Sequence, residues 1–320
     1  MGCHGGEGER AAGAAALFPL LSVGIKNPMK MYFFRGKPPN FGDELNPWLM
    51  PKVFPGLLDE DESHIFLGIG SIIFDIFPES SKKIVFGSGY GGYTRLPKLD
   101  EQWSFYCVRG PRTAQVCNLP LDKVAGDAAI LINRHYPLPA RTGSRFAFMP
   151  HWQSVNRGNW AEACKLADID FIDPTRPIGE CLEQLSGCKA LIAEAMHGAI
   201  VADALRVPWI PVLPIHKLHR MKWYDWAEAL DVDLQPHRLW PSSTREAAAL
   251  RGRGEGVTVQ NPRGLAKPVV EIMDRVFVRI ASNRLTELKK MPQMQSADAA
   301  LERALDKLET SAAAILREYR

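Results

Sequence analysis

Metal-ligand spacings, long apolar runs and a strong charge of either sign are all missing from this 320-residue sequence. Its six cysteines, at positions 3, 107, 117, 164, 181 and 188, contain no CxxC pair and no spacing that suits zinc. A metal site is therefore not expected, and free thiols in a reducing compartment are. The net charge of +3 is too small to point to nucleic acid. A slightly basic surface still suits an anionic substrate or a membrane face. The apolar run of the leader, LFPLLSVGI, is too short to span a bilayer and holds Pro19. Glu7 and Glu9 stand where a signal peptide carries its basic region, so residues 1–28 are expected to be a disordered leader. No internal repeat occurs at solenoid periods.

What is present is the composition of a globular protein, 46% hydrophobic and 23% charged, in a chain with room for two domains. Short apolar runs predict strands at 30–34, 64–69, 82–87 and 104–108, then at 145–149, 170–173, 190–194 and 209–213. Helical stretches at 42–54, 111–118, 158–167, 177–187 and 197–206 separate them. Such alternation predicts parallel sheets covered on both faces. It pauses at NRHYPLPARTGS, which suggests one α/β domain over 29–138 and a second over 139–265, the latter ending in a polar, Gly-rich connection. Two helices close the chain within 266–320. In the last, Leu301, Leu305, Leu308, Ala312 and Ile315 form one apolar stripe, expected to dock on the body of the protein.

The unusual polar residues follow strands, where parallel α/β sheets bind their ligands. Each series offers one such edge, and two edges facing each other make a cleft. GSGYGGY, with Ser88 and Gly89, is not the G-x-G-x-x-G fingerprint and precedes no clear helix. It reads as a turn allowing close backbone approach, against a substrate among other possibilities. Arg109 and Arg112 flank a helix opening, a poor place for cations in stability terms and a good one for an anion. His197 follows an apolar strand and opens a small-residue helix. It is either a core histidine or a group aimed at a substrate. His151 and Trp152 in PHWQS are either a sugar-stacking platform or ordinary cleft wall. His216, Lys217, His219, Arg220 and Lys222 form a basic cluster beside Trp223 and Trp226.

Taken together and in order, NFGDELN, FGSGYGG, VRGPRTA, GDAAIL and MHGAIVADALRVPWIPV resemble the polysaccharide pyruvyl transferase family, in particular its exopolysaccharide ketal-pyruvate transferases. The resemblance implies two Rossmann-like domains with parallel sheets facing across a cleft, similar to GT-B glycosyltransferases, plus C-terminal helices. It implies phosphoenolpyruvate as donor substrate, no further cofactor, and no nucleic-acid partner. The acceptor it implies is a sugar, lipid-linked oligosaccharides included, and the product a pyruvate ketal. A cytoplasmic enzyme, associated peripherally with the inner face of the plasma membrane, would follow. By motif, Arg109 matches a donor-binding arginine and His197 the catalytic histidine. Asp43 and Asp127 are expected to orient or deprotonate the acceptor, unless they only cap helices. Gly42, Ser88, Gly89, Arg112, His151, Trp152 and Lys217 are expected to face substrate. One departure stands out: Ala195 occupies a position where many members carry arginine, leaving Arg109, Arg112 or the Lys217–Arg220 cluster to bind the donor. The rival readings are a GT-B glycosyltransferase using a nucleotide sugar and a non-catalytic anion- or sugar-binding relative.

Overall fold

A computed structural model describes residues 27–137, 143–214, 219–251 and 266–320. Each predicted strand is present, in two parallel sheets. The first joins β1 (Met29–Tyr32), β2 (Leu58–Asp59), β3 (His64–Leu67), β4 (Lys82–Ser88) and β5 (Trp103–Val108) in the order β2-β1-β3-β4-β5. The second joins β6 (Phe146–Met149), β7 (Asp170–Phe171), β8 (Ala190–Ala193) and β9 (Trp209–Pro211) in the order β7-β6-β8-β9. The two-residue β2 is too short to leave a periodic signal, so sequence reading misses it. In both sheets the strand order reverses beside the first strand of the series, which opens a crevice between the loops following β1 and β3, and between those following β6 and β8.

The helices among the described residues are α1 (Phe41–Val53), α2 (Pro111–Val116), α3 (Ile132–His135), α4 (Trp152–Arg157), α5 (Trp160–Ala167), α6 (Ile178–Ser186), α7 (Met196–Ala204), α8 (Met221–Ala229), α9 (Thr244–Arg251), α10 (Lys267–Leu288) and α11 (Asp298–Tyr319). The largest apolar core lies between the sheets. It packs Met29, Phe66 and Phe86 of the first with Met149, Leu191 and Trp209 of the second, through Leu45 and Leu49 of α1 and Ala199 and Ile200 of α7. Smaller cores cover the outer faces. The stripe Leu301, Leu305, Leu308 and Ile315 of α11 is buried in the central core, as its spacing predicts. α10 goes elsewhere: Val278, Ala281, Leu285 and Leu288 pack with Phe148, Trp160 and Cys164 around α5. Residues 1–26 of the expected leader, the linker at 138–142 and the connection at 252–265 lie outside the described residues, as do His216 and Lys217.

Helix α1 shows how the first polar motif folds. Asn40 caps the helix, its side-chain oxygen accepting from the Asp43 amide at 3.2 Å. Pro47 inside the helix has no N–H for the Asp43 carbonyl. The Asn46 side-chain amide replaces it, donating to that carbonyl at 3.1 Å. The same fully buried side chain clamps the loop after β3, donating to the Ile69 carbonyl and accepting from the Ile69 amide, both at 2.9 Å. The Phe41 amide donates to the Pro174 carbonyl of the second α/β series at 2.7 Å. A short polar stretch thus ties α1, the loop after β3 and the second sheet to one place.

Candidate active site

That place is a cavity of about 280 Å³ lined by segments that follow β1, β3, β4, β6, β7, β8 and β9. On its floor stands His197, the second residue of α7, 12% exposed. Its Nε2 is 3.6 Å from Oδ2 of Asp127, inside ion-pair range and beyond hydrogen-bond range. Both atoms are buried and have no hydrogen-bond partner. Asp127, expected to act on the acceptor, is fully buried and outside the cavity lining, where it does two things at once. Its Oδ1 accepts from the Ala129 amide at 3.0 Å, capping the turn Ala128–Leu131, while Oδ2 faces the imidazole.

The other side of the imidazole lies against Gly42, where any β-carbon would overlap the ring. Glycine is required here by space, since its neighbours set no unusual backbone angle. Next to it, Asp43 lines the cavity and accepts a short hydrogen bond from the Asn40 side-chain amide. Burial pushes the Asp43 carboxyl above the usual carboxylate range, against the opposing pull of Asn40, His197 and Lys222.

The second sheet supplies the opposite wall. Glu194, buried at the end of β8, accepts from the His151 amide at 2.8 Å and from the Ser154 hydroxyl at 3.1 Å, which fixes the loop after β6. His151 stacks on His219 with ring centroids 4.5 Å apart. Tyr93, from the first series, holds His219 through a 2.8 Å contact between Oη and Nδ1. Trp152 and Phe34 face each other at 6.5 Å across the mouth. Lys222 is the only Lys or Arg among the described residues lining the cavity. Ala195 lines it too, with no side chain beyond Cβ.

Four of the expected substrate-facing residues lie elsewhere. Arg109 is fully buried behind the wall: Nε donates to Oδ2 of Asp225 at 2.9 Å, and Nη1 to the Ser71 hydroxyl at 2.6 Å. Gly89 leaves the room its guanidinium fills. Asp225 also accepts from the amide and hydroxyl of Thr113, so the cluster pins the first sheet to α8. Arg112 forms a bidentate pair with Glu228 at 2.9 and 2.6 Å on the surface. Ser88 donates to the Gly70 carbonyl at 3.0 Å, and the Gly89 amide donates to the same oxygen at 2.9 Å. This turn therefore shapes the 70–74 loop, which does line the cavity. Ser71, Tyr93, Phe34 and Phe74 are cavity residues that sequence reading does not find, because isolated aromatics and serines between strands carry no spacing signal.

Among the described residues, no group of three or more His, Cys, Asp or Glu side chains is placed to hold a metal ion. The described cysteines are free and buried. No helix among the described residues is long and apolar enough to cross a membrane.

A two-sheet α/β body with a cavity-lining histidine backed by a carboxylate can host many chemistries, and comparison with known proteins says which one applies. The polysaccharide pyruvyl transferase family model matches residues 23–215, so the chain belongs to that family and is an enzyme of that class. It is 33% identical over 285 residues, 87% of this chain and 86% of the relative, to the succinoglycan biosynthesis protein ExoV of Rhizobium meliloti (strain 1021). No solved structure matches the chain.

Proposed function

We propose that this enzyme moves a pyruvyl group from phosphoenolpyruvate to two hydroxyls of one sugar in an exopolysaccharide or cell-surface glycan precursor, forming a cyclic ketal. The observation that carries this reading is His197, which lines the cavity together with Asp43 and on its buried side faces Asp127, with neither Nε2 nor Oδ2 hydrogen-bonded. Ketal formation requires a proton delivered to C3 of the donor and two protons removed from the acceptor. A histidine between two carboxylates suits both directions of transfer. In this scheme C3 is protonated, an oxocarbenium-like centre develops at C2, and one sugar hydroxyl bonds to it. The C–O bond to phosphate breaks and the second hydroxyl closes the ring. Of the two hydroxyl protons, one ends on C3 and the other leaves with phosphate, so the reaction needs no other reactant. His197 is assigned the proton transfers, with Asp127 steadying its charged form and Asp43 accepting from the acceptor.

The donor carries a phosphate and a carboxylate and needs fixed cations or strong donors in a site shielded from water. Lys222 and the His151–His219 stack supply them where Ala195 supplies nothing. Arg109 contributes at one remove. An arginine only donates, so the Ser71 oxygen must accept from it, and the Ser71 hydroxyl hydrogen is left to donate elsewhere. Ser71 lines the cavity, and a neighbouring guanidinium strengthens it as a donor to an anion. Trp152 and Phe34 at the mouth suit the apolar face of a sugar ring. The two strand-order reversals opening on one cavity support the reading of two Rossmann-like domains facing across a GT-B-like cleft. The relationship to a succinoglycan biosynthesis protein supports an exopolysaccharide precursor as acceptor. A lipid-linked oligosaccharide at the cytoplasmic membrane face is the form proposed for it.

The test is incubation with phosphoenolpyruvate and candidate oligosaccharides, following phosphate release and the acceptor's mass. Phosphate released only with acceptor, together with a mass gain of one pyruvate ketal, is the expected result. Consumption of a nucleotide sugar with no use of phosphoenolpyruvate would replace the proposal with glycosyl transfer.

A further inference from the structure

Helix α10 is apolar on two faces, and among the described residues only one of them is covered. Val278, Ala281, Leu285 and Leu288 are buried against the second sheet's outer layer. A helix docked by one face ordinarily turns polar residues to solvent on the other. Here Val269, Ile272, Met273, Val276 and Ile280 are 44%, 64%, 37%, 55% and 44% exposed. On a helix of 3.6 residues per turn, their spacing places all five within an arc of about 100° and a length of roughly 16 Å. They form a continuous strip, not scattered surface residues.

The charges beside the strip are of one sign. Arg275 and Arg279 are exposed, stand one turn apart on the flank next to Ile272, and make no ion pair among the described residues. The acidic residues of the same stretch, Glu271 and Asp274, fall on the far side of the helix. Asp274 is occupied there, accepting from the Thr244 amide at 2.7 Å at the start of α9. An antiparallel pairing of two copies would set this basic flank against itself. An apolar strip with arginines along its edge instead matches an anionic lipid surface, acyl chains taking the apolar side chains and headgroups the guanidinium groups.

We infer that α10 is a membrane-docking surface which seats the enzyme peripherally on an anionic bilayer through Val269, Ile272, Met273, Val276 and Ile280, with Arg275 and Arg279 reading headgroup charge. This surface does not depend on which donor or acceptor the cavity takes, so it stands or falls separately from the reaction proposed above.

The experiment is flotation of the purified full chain with vesicles of phosphatidylcholine alone and of phosphatidylcholine mixed with phosphatidylglycerol. Binding is expected to the anionic vesicles only and to weaken as salt is added. The triple variant Ile272→Ser, Val276→Ser, Ile280→Ser should lose binding by roughly 100-fold or more. Arg275→Gln with Arg279→Gln should lose roughly 30-fold, a factor of about five for each arginine near an anionic surface. All these positions are exposed, so both variants should melt like the wild type, and the charge variant keeps the whole apolar strip intact. Equal binding of wild type and both variants overturns the inference, as does no binding by the wild type. A wild-type dimer in light scattering that the triple variant turns into a monomer would assign the strip to self-association and overturn it equally.

Discussion

Two clusters of charged residues border the same cavity, one reaching it only through Ser71 and the other through His197. Behind the wall, Arg109, Asp225, Thr113 and Ser71 bond to one another, with distances of 2.6–2.9 Å. At the cavity, His197 lines the wall and faces the buried Asp127 at 3.6 Å, and the facing atom of each has no hydrogen-bond partner. Both clusters follow strands and both belong to short motifs of similar appearance in the sequence. A buried charge whose bonds hold two segments together has a structural task, and Arg109 has one although its Nη2 is left without a partner. His197 differs in that its ring lines the cavity, where it can meet a substrate. Access to the cavity, rather than residue type, separates scaffold from site here.

That contrast is most directly exposed by His197→Gln. Glutamine keeps volume and hydrogen-bonding capacity, so the fold and donor affinity should survive while turnover drops by about 10²–10⁴. Turnover is read as phosphate release, with thermal melting as the control. A mutant that melts early but turns over normally would make His197 a packing residue and dissolve the contrast. Next in size is Arg109→Ala, expected to cost about 3–5 kcal/mol in denaturant unfolding, because Asp225 is left buried without its cation. Adding Asp225→Ala should recover part of that loss. A normal unfolding midpoint with a large rise in the donor KM would move Arg109 from the wall into the site.

Gly42→Ala should be felt on both sides of the comparison. The new methyl overlaps the His197 ring, so about 1–3 kcal/mol of overpacking is expected along with reduced kcat. Unchanged kcat would mean that the ring can move without consequence for the chemistry. The effect that is smallest over any one pH unit concerns another buried carboxyl. Glu246 accepts from the Trp160 indole at 2.7 Å and from the Ser242 amide and hydroxyl at 2.7 and 2.8 Å, outside the cavity. Burial pushes it up from 4.5 to about 8. Between those pH values the folded protein holds a proton that the unfolded chain has released. Stability should therefore fall as pH rises from about 4.5 to 8, by at most about 1.4 kcal/mol per pH unit. Glu246→Gln should flatten that slope in melting experiments and leave the pH profile of turnover unchanged. An altered turnover profile would show that this fully bonded carboxyl serves the reaction after all.

The two parallel sheets are legible in the amino-acid order alone. Period and apolar continuity over four to seven residues are local properties, and strands buried on both faces display them directly. The gathering of polar residues where strands end is legible too, as is the choice of His197 and Asp43, which line one cavity, and of Asp127, which backs the histidine. Which motif residues reach that cavity depends on packing between distant parts of the chain. Arg109 and Arg112 are three residues apart, yet one is sealed against Asp225 and the other pairs with Glu228 at the surface, both partners lying more than a hundred positions away. The same holds for Gly42, whose necessity comes from a histidine 155 positions later, and for Ser71, which matters because an arginine stands behind it. The exposed face of α10 is the converse case: its period is plain in the sequence, but that none of the described residues packs over it is a fact about neighbours. Local pattern fixes which residues share a face, while long-range packing fixes what that face meets, and side-chain chemistry is set by the second.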